Sequence, residues 1–217
     1  DVIGTAADST AEVQGIVDAY QAILANADGT ANNATSPSAA DYTKLGVTGI
    51  DTAAELGLLG DVIDGKTAAD VATPAQIQAL ADAAAATVAY NGTNTAPTQA
   101  QLEALGVTGL TADNLAAVLA AIDAANSDGT PIASLAELQG VAAAATGGAA
   151  AALTTISAYA QSNGGTAPVA ADYTAAGVTG IGGAGQPTVA QINAALADAD
   201  VIGTAADSTA EVQGIVD

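Results

Sequence analysis

Residues 9–24 read STAEVQGIVDAYQAIL. Ser9 followed three positions later by Glu12 is the pattern in which each side chain satisfies a backbone N–H at a helix start. Apolar residues then fall at Val13, Ile16, Val17, Tyr20, Ile23 and Leu24, the spacing of one face of an α-helix. The same start recurs as Thr73-Pro-Ala-Gln76, with proline at the favoured first helical position. It recurs again as Ser134-Leu-Ala-Glu137 and Ser208-Thr-Ala-Glu211. Capped segments of 3.6 period predict an all-α fold. A strand-based solenoid is the rival, since Gly, Thr and Val also suit β turns, but period-2 alternation is scarce.

Outward from that stretch, Asp1–Asp18 (DVIGTAADSTAEVQGIVD) returns letter for letter as Asp200–Asp217, an offset of 199 residues. An identity of that length is duplication, recent or kept uniform. The four helix starts lie 64, 61 and 74 residues apart, so the long period contains three diverged short ones. The chain therefore reads as one full repeat plus the opening of the next, within something longer. Three GVTG turns, beginning at Gly46, Gly106 and Gly177, sit at matching places after a short second helix. A third helix follows from Thr52, Thr111 and Thr188. The expected architecture is a tandem array of three-helix modules. Its parts are a connector over 1–8, modules over 9–72, 73–133 and 134–207, and the start of the next repeat over 208–217.

Composition limits the partners. Lys and Arg together number 2 against 23 Asp and Glu, a formal net charge of −21, so the cations that displace counterions from a polyanion are missing. Nucleic acid is excluded on that ground, and an anionic membrane surface is disfavoured. There is no Cys, which removes disulfides and thiolate metal sites, and no His. Half the residues count as hydrophobic, but many are Ala, which buries little area, so the helices must approach closely. Charged residues make up 12%, well under the roughly 25% usual in soluble domains. The exposed faces are then Ala, Thr, Ser, Asn and Gln, uncharged enough to stack laterally. No membrane span is expected, because the run Val141–Leu153 is short and interrupted at Thr146-Gly-Gly148.

Candidate chemistry is sparse. Gly182–Ala190 approaches the glycine-rich calcium nonapeptide, but Pro187 stands where the liganding Asp belongs. Asp61/Asp64 and Asp198/Asp200 lack the DxDxDG spacing and read as solvated helix-end charge. Thr43-Lys44 and Lys66-Thr67 are sequence neighbours only, their lysines expected to be exposed, and no His is present to activate a hydroxyl. Tyr42, Tyr90, Tyr159 and Tyr173 recur across the modules, which argues for packing with each hydroxyl reaching water. Asn33-Ala-Thr35 and Asn91-Gly-Thr93 match the glycosylation sequon, as chance allows in a chain rich in Thr and Asn. No catalytic, cofactor-binding or metal-ligating residue is nominated, and an enzyme is not expected.

The blocks Ala40–Ile50, Asn114–Ile122 and Ala171–Ile181, joined by STAEVQ starts, resemble the helical tandem repeats of giant bacterial cell-surface and biofilm-associated adhesins, Bap-like proteins secreted by the type I route. That resemblance implies an extracellular, cell-surface protein whose repeats build a stalk, filament or matrix, with neighbouring copies as partners. A fainter similarity links the chain to the three-helix albumin-binding modules of cocci, whose Lys-rich helices it lacks. The alternative expectation is a ligand-binding module whose loops hold a glycan or host protein.

Overall fold

The computed structural model describes residues 7–31 and 36–217. Most of the expected connector 1–8, most of the loop 31–37 and the sequon at Asn33 lie outside the described residues. The described chain is all-α. In order it forms α1 (Thr10–Asn26), α2 (Ala39–Lys44), α3 (Ala53–Asp64), α4 (Pro74–Ala89), α5 (Gln99–Ala104) and α6 (Ala112–Ser127). Then come α7 (Leu135–Gln161), α8 (Ala170–Ala175), α9 (Val189–Leu196), a 3-10 turn over Gly203–Ala205, and α10 (Thr209–Val216). Among the described residues no strand forms; Asp28 and Thr67 make one isolated antiparallel bridge.

Local chemistry sets most helix boundaries. Full capping boxes open α1 at Ser9 and Glu12, α3 at Thr52 and Glu55, α5 at Thr98 and Gln101, α9 at Thr188 and Gln191, and α10 at Ser208 and Glu211. At α8 the N-cap is Val169, which has no acceptor. Only the return half remains, with the Val169 amide donating to Asp172 at 2.7 Å. The short helices α2, α5 and α8 all end in one hydrogen-bond pattern. Gly46 donates to Thr43 and Val47 to Tyr42; Gly106 to Glu103 and Val107 to Leu102; Gly177 to Thr174 and Val178 to Tyr173. This is the Schellman closure, and it places those glycines at φ of +77°, +99° and +76°.

By compactness the chain divides into two units. Unit 1 is Asp1–Thr108 with Ile122–Gln139, and unit 2 is Gly109–Ala121 with Gly140–Asp217. In unit 1, α3 is the central helix, packed on α1 and α4, and it buries Leu58, Leu59, Val62 and Ile63. Its Gly57 makes the close approach that an alanine-rich core needs: a Cβ there would lie 2.5 Å from the Ala133 carbonyl oxygen. In unit 2 the core gathers Ile156, Tyr173, Ala176, Val178, Ile192, Leu196, Ala206, Val212 and Val216.

Two expectations change here. The run around Thr146-Gly-Gly148 is not an interruption, because α7 continues through it for 27 residues. Gly costs about 1 kcal/mol against Ala in a helix interior, but alanine blocks on both sides supply the best helix propensity there is. By length and composition alone α7 is long and apolar enough to cross a membrane, so the apolar run is longer than the sequence reading made it. Its buried residues, Leu138, Ala142, Ala149, Ala152, Ile156 and Ala160, form one stripe at helical spacing, the signature of packing along a single side.

The tyrosine expectation is also corrected. Tyr42 and Tyr173 occupy the same place in α2 and α8 and are buried, Leu102 takes that place in α5, and Tyr90 and Tyr159 sit half-buried elsewhere. The two buried hydroxyls differ in their partners. Tyr173 Oη donates to Asn193 Oδ1, whereas Tyr42 Oη has no hydrogen-bond partner among the described residues. Burial pushes both phenols above their ordinary pKa. An unsatisfied buried hydroxyl costs stability and a satisfied one contributes it. Tyr42→Phe should therefore raise stability by about 1 kcal/mol and Tyr173→Phe should lower it by about 1 kcal/mol. Thermal melts of the two variants, shifting in opposite directions, check this.

Candidate interface at the repeated eighteen residues

Over the described residues, the two copies of the 18-residue stretch share their helix-capping chemistry. Ser9 and Ser208 both cap their helices at φ −127° and ψ 155°. Their amides donate to Glu12 at 3.0 Å and to Glu211 at 3.1 Å. Those serine hydroxyls hold both glutamates below the ordinary carboxylate range. Gln14 Nε2 donates to Asp18 at 2.7 Å, and Gln213 Nε2 to Asp217 at 2.8 Å. Any difference between the copies is therefore tertiary.

The difference is large. Val212 is 0% exposed and Val216 7%, but the identical Val13 and Val17 are 47% and 42% exposed. Ala206 is buried, and its counterpart Ala7 is exposed. In unit 2 the second copy is held at several points. α10 packs on α9, and its Val212 and Val216 enter the core made by Tyr173, Ala176, Val178, Ile192 and Leu196. Thr209 Oγ1 lies 2.6 Å from the carbonyl oxygens of both Asp113 and Ala176, donating to one at a time. Gly203 fits against α7, where Ser157 Oγ donates to its carbonyl at 2.9 Å and its amide donates to Gln161 at 3.2 Å. A Cβ on Gly203 would stand 3.0 Å from the Ser157 oxygens and the Gln161 Cβ, tight enough that α7 would have to give way to a larger residue.

The most specific element is Gln213. Its Oε1 accepts from the Thr179 amide at 2.9 Å and its Nε2 donates to the Thr179 carbonyl at 3.2 Å. One side-chain amide thus satisfies both backbone groups of the GVTG threonine, each bond worth about 1 kcal/mol net. Gln78, five residues after its own cap, does the same to Thr48, at 2.9 and 3.1 Å. Gln139, again five after its cap, donates to the Gly106 carbonyl at 3.1 Å, a variant grip on the third such turn. Gln14 occupies the corresponding position in α1 and, among the described residues, bonds only to Asp18. Sequence reasoning missed these glutamines. The signal was present: all four helix starts carry Gln at the fifth position after the cap, as STAEVQ, TPAQIQ and SLAELQ.

The residues singled out earlier are engaged in structural roles. Gly182–Pro187 closes on itself, the Gly182 amide donating to Pro187 and the Gly183 amide to Gln186 Oε1. Asp61 is half-buried and accepts from the Leu135 amide at 3.1 Å. Asp64 is buried, which also corrects the expectation for that pair. Asp198 caps the Asp200 amide at 3.0 Å. Thr43 Oγ1 donates to the Ala39 carbonyl, and Lys44 pairs loosely with Asp41 at 3.8 Å. Lys66 is half-buried instead of exposed, its ammonium donating to the Ala104 carbonyl at 2.7 Å, at the negative end of α5. Thr67 Oγ1 turns instead to Asp70, so neither lysine meets its neighbouring hydroxyl. Asn91 Oδ1 is taken by Thr93 and Asn94 in an exposed turn.

Among the described residues no group of three or more His, Cys, Asp or Glu side chains is placed to hold a metal ion. Treatment with a calcium chelator should accordingly shift the melting temperature by less than about 5 °C; a larger fall would reveal an ion that contributes more than about 1–2 kcal/mol. No family model, no curated protein and no solved structure matches the chain.

Proposed function

We propose that this chain is a structural unit of an extracellular bacterial surface filament, matrix or adhesin stalk, extended head to tail by repetition of its 199-residue period. Its modules are the helix triplets α1–α3, α4–α6 and α7–α9, with α10 as the first helix of the next triplet. The observation that carries this reading is that Val212 and Val216 are seated in a core while Val13 and Val17, the same residues in the first copy, are open. A repeat protein buries surface between successive units, each unit contacting its neighbours. The scarcity of charge and of aromatic side chains suits a spacer, whose loops need bind nothing. The acidic balance keeps such a spacer off nucleic acid and anionic lipid. Immunogold labelling of intact cells with an antibody raised against this chain tests the role. Label on extended surface structures is expected; label that appears only after the cells are lysed contradicts it.

A further inference from the structure

We infer that α1 carries a docking face, built on Val13, Gln14 and Val17, for the groove that α8, α9 and the Gly177–Gly180 turn form in a second copy of this chain. The inference rests on the array proposal and names the surface that would join one copy to the next. The occupant is fixed by identity: the groove in this chain already holds Val212, Gln213 and Val216, the same residues in the same order. A groove that takes Val212, Gln213 and Val216 suits Val13, Gln14 and Val17, which stand in the same sequence.

The geometry of α1 leaves that face free. Its inward stripe consists of Ala19, Ile23 and Asn26, which are buried, with the Asn26 amide donating to the Gly60 carbonyl at 3.0 Å. Val13 and Val17 lie about 130° around the helix from that stripe, on a second face. One helix thus has two apolar faces, one for its own unit and one for a neighbour. The chain uses this arrangement at its other helix starts. Ile77 and Ala81 in α4 hold the positions of Val13 and Val17 and are buried, with Gln78 gripping Thr48. Leu138 and Ala142 in α7 are buried in the same two positions, with Gln139 on Gly106. Among the described helix starts of this type, α1 alone has its valines open and its glutamine away from a turn. The mate it lacks is a Gly177–Gly180 turn from another copy, with Thr179 under Gln14.

The test uses full-length chains and the absence of native cysteine, which makes introduced thiols unique. The donor carries Gln14→Cys. The acceptor carries Thr179→Cys with Val212→Ala and Val216→Ala, which loosens α10 and opens its groove to competition. After mixing with a short bis-maleimide, a donor–acceptor product should form about tenfold faster than with a donor carrying Ala25→Cys, because docking raises the local thiol concentration only at the correct site. Ala25 is exposed at the far end of the same helix. A second acceptor with Val212→Asp and Val216→Asp should give more product still. If it loses helical signal, the alanine acceptor decides the matter. Equal rates for the Gln14→Cys and Ala25→Cys donors, or no product with a helical acceptor, overturn the inference. Cross-linking without surface label would keep the docking and discard the filament; label without cross-linking would leave a filament joined in some other way.

Discussion

Val212→Asp with Val216→Asp is expected to cost about 3–5 kcal/mol, whereas Val13→Asp with Val17→Asp should change stability by less than about 0.5 kcal/mol. The four residues belong to identical 18-residue stretches, so the sequence and the N-terminal capping that precede each pair are the same, although α1 runs on to Asn26 and α10 ends at Val216. Their surroundings differ. Val212 and Val216 sit in the unit 2 core beside Tyr173, Ile192 and Leu196, where a carboxylate would be desolvated with no cation to pair with. Val13 and Val17 stand 47% and 42% exposed, where a carboxylate keeps its water. For a chain of this size the first pair should lower the melting temperature by roughly 10 °C or more, and the second by no more than about 2 °C. Equal losses from the two pairs would mean that the second copy is not seated as described.

The second large effect is expected at Gly177. Its φ of +76° is required by the Schellman closure of α8, and a Cβ there would lie 3.2 Å from the Ala116 Cβ. Gly177→Ala therefore meets two penalties, the left-handed backbone at about 1–2 kcal/mol and the crowding of α6. It also moves the turn that presents Thr179 to Gln213, so the loss should come with exposure of α10. Gly214→Ala is the matched control. Gly214 is inside α10 with nothing within 4 Å of an added Cβ, and alanine there should stabilise by about 0.5–1 kcal/mol. Melting temperatures that move in opposite directions support the account; two losses of similar size contradict it.

What was legible in the sequence was local. Ser9 and Glu12, or Thr98 and Gln101, interact across three residues, so their pattern forces the helix start wherever the chain goes. The glycine of each GVTG turn was equally readable, because only glycine accepts the left-handed position without strain. The helical face of α1 was readable as apolar, yet the sequence did not reveal that it comprises two stripes, one buried at Ala19 and Ile23 and one exposed at Val13 and Val17. That distinction depends on tertiary packing, which buries Ile23 and leaves Val13 47% exposed.

The misreadings have the same origin. Gly147 and Gly148 looked like a break because each weakens a helix, but alanine blocks on both sides carry α7 across them. Asp64 looked solvated because most carboxylates are, and its burial is a product of tertiary packing. The glutamine grip joins residues 30 or more positions apart, Gln78 to Thr48 and Gln213 to Thr179, and pairings of that range have no local signature. Recurrence was the available clue. The glutamine at the fifth position after the cap repeats at every helix start of this type, and three of the four grip a GVTG turn.

The central claim, that successive copies stabilise one another through a shared first helix, is tested most directly by melting temperature against copy number. Chains of one, two and four periods, each ending in the same 18 residues, would be unfolded thermally under identical conditions. If each junction completes a helix that belongs to both neighbours, the melting temperature should rise from one copy to two and further to four, with a single transition throughout. A melting temperature independent of copy number would make the periods autonomous beads on a string, and would contradict the account.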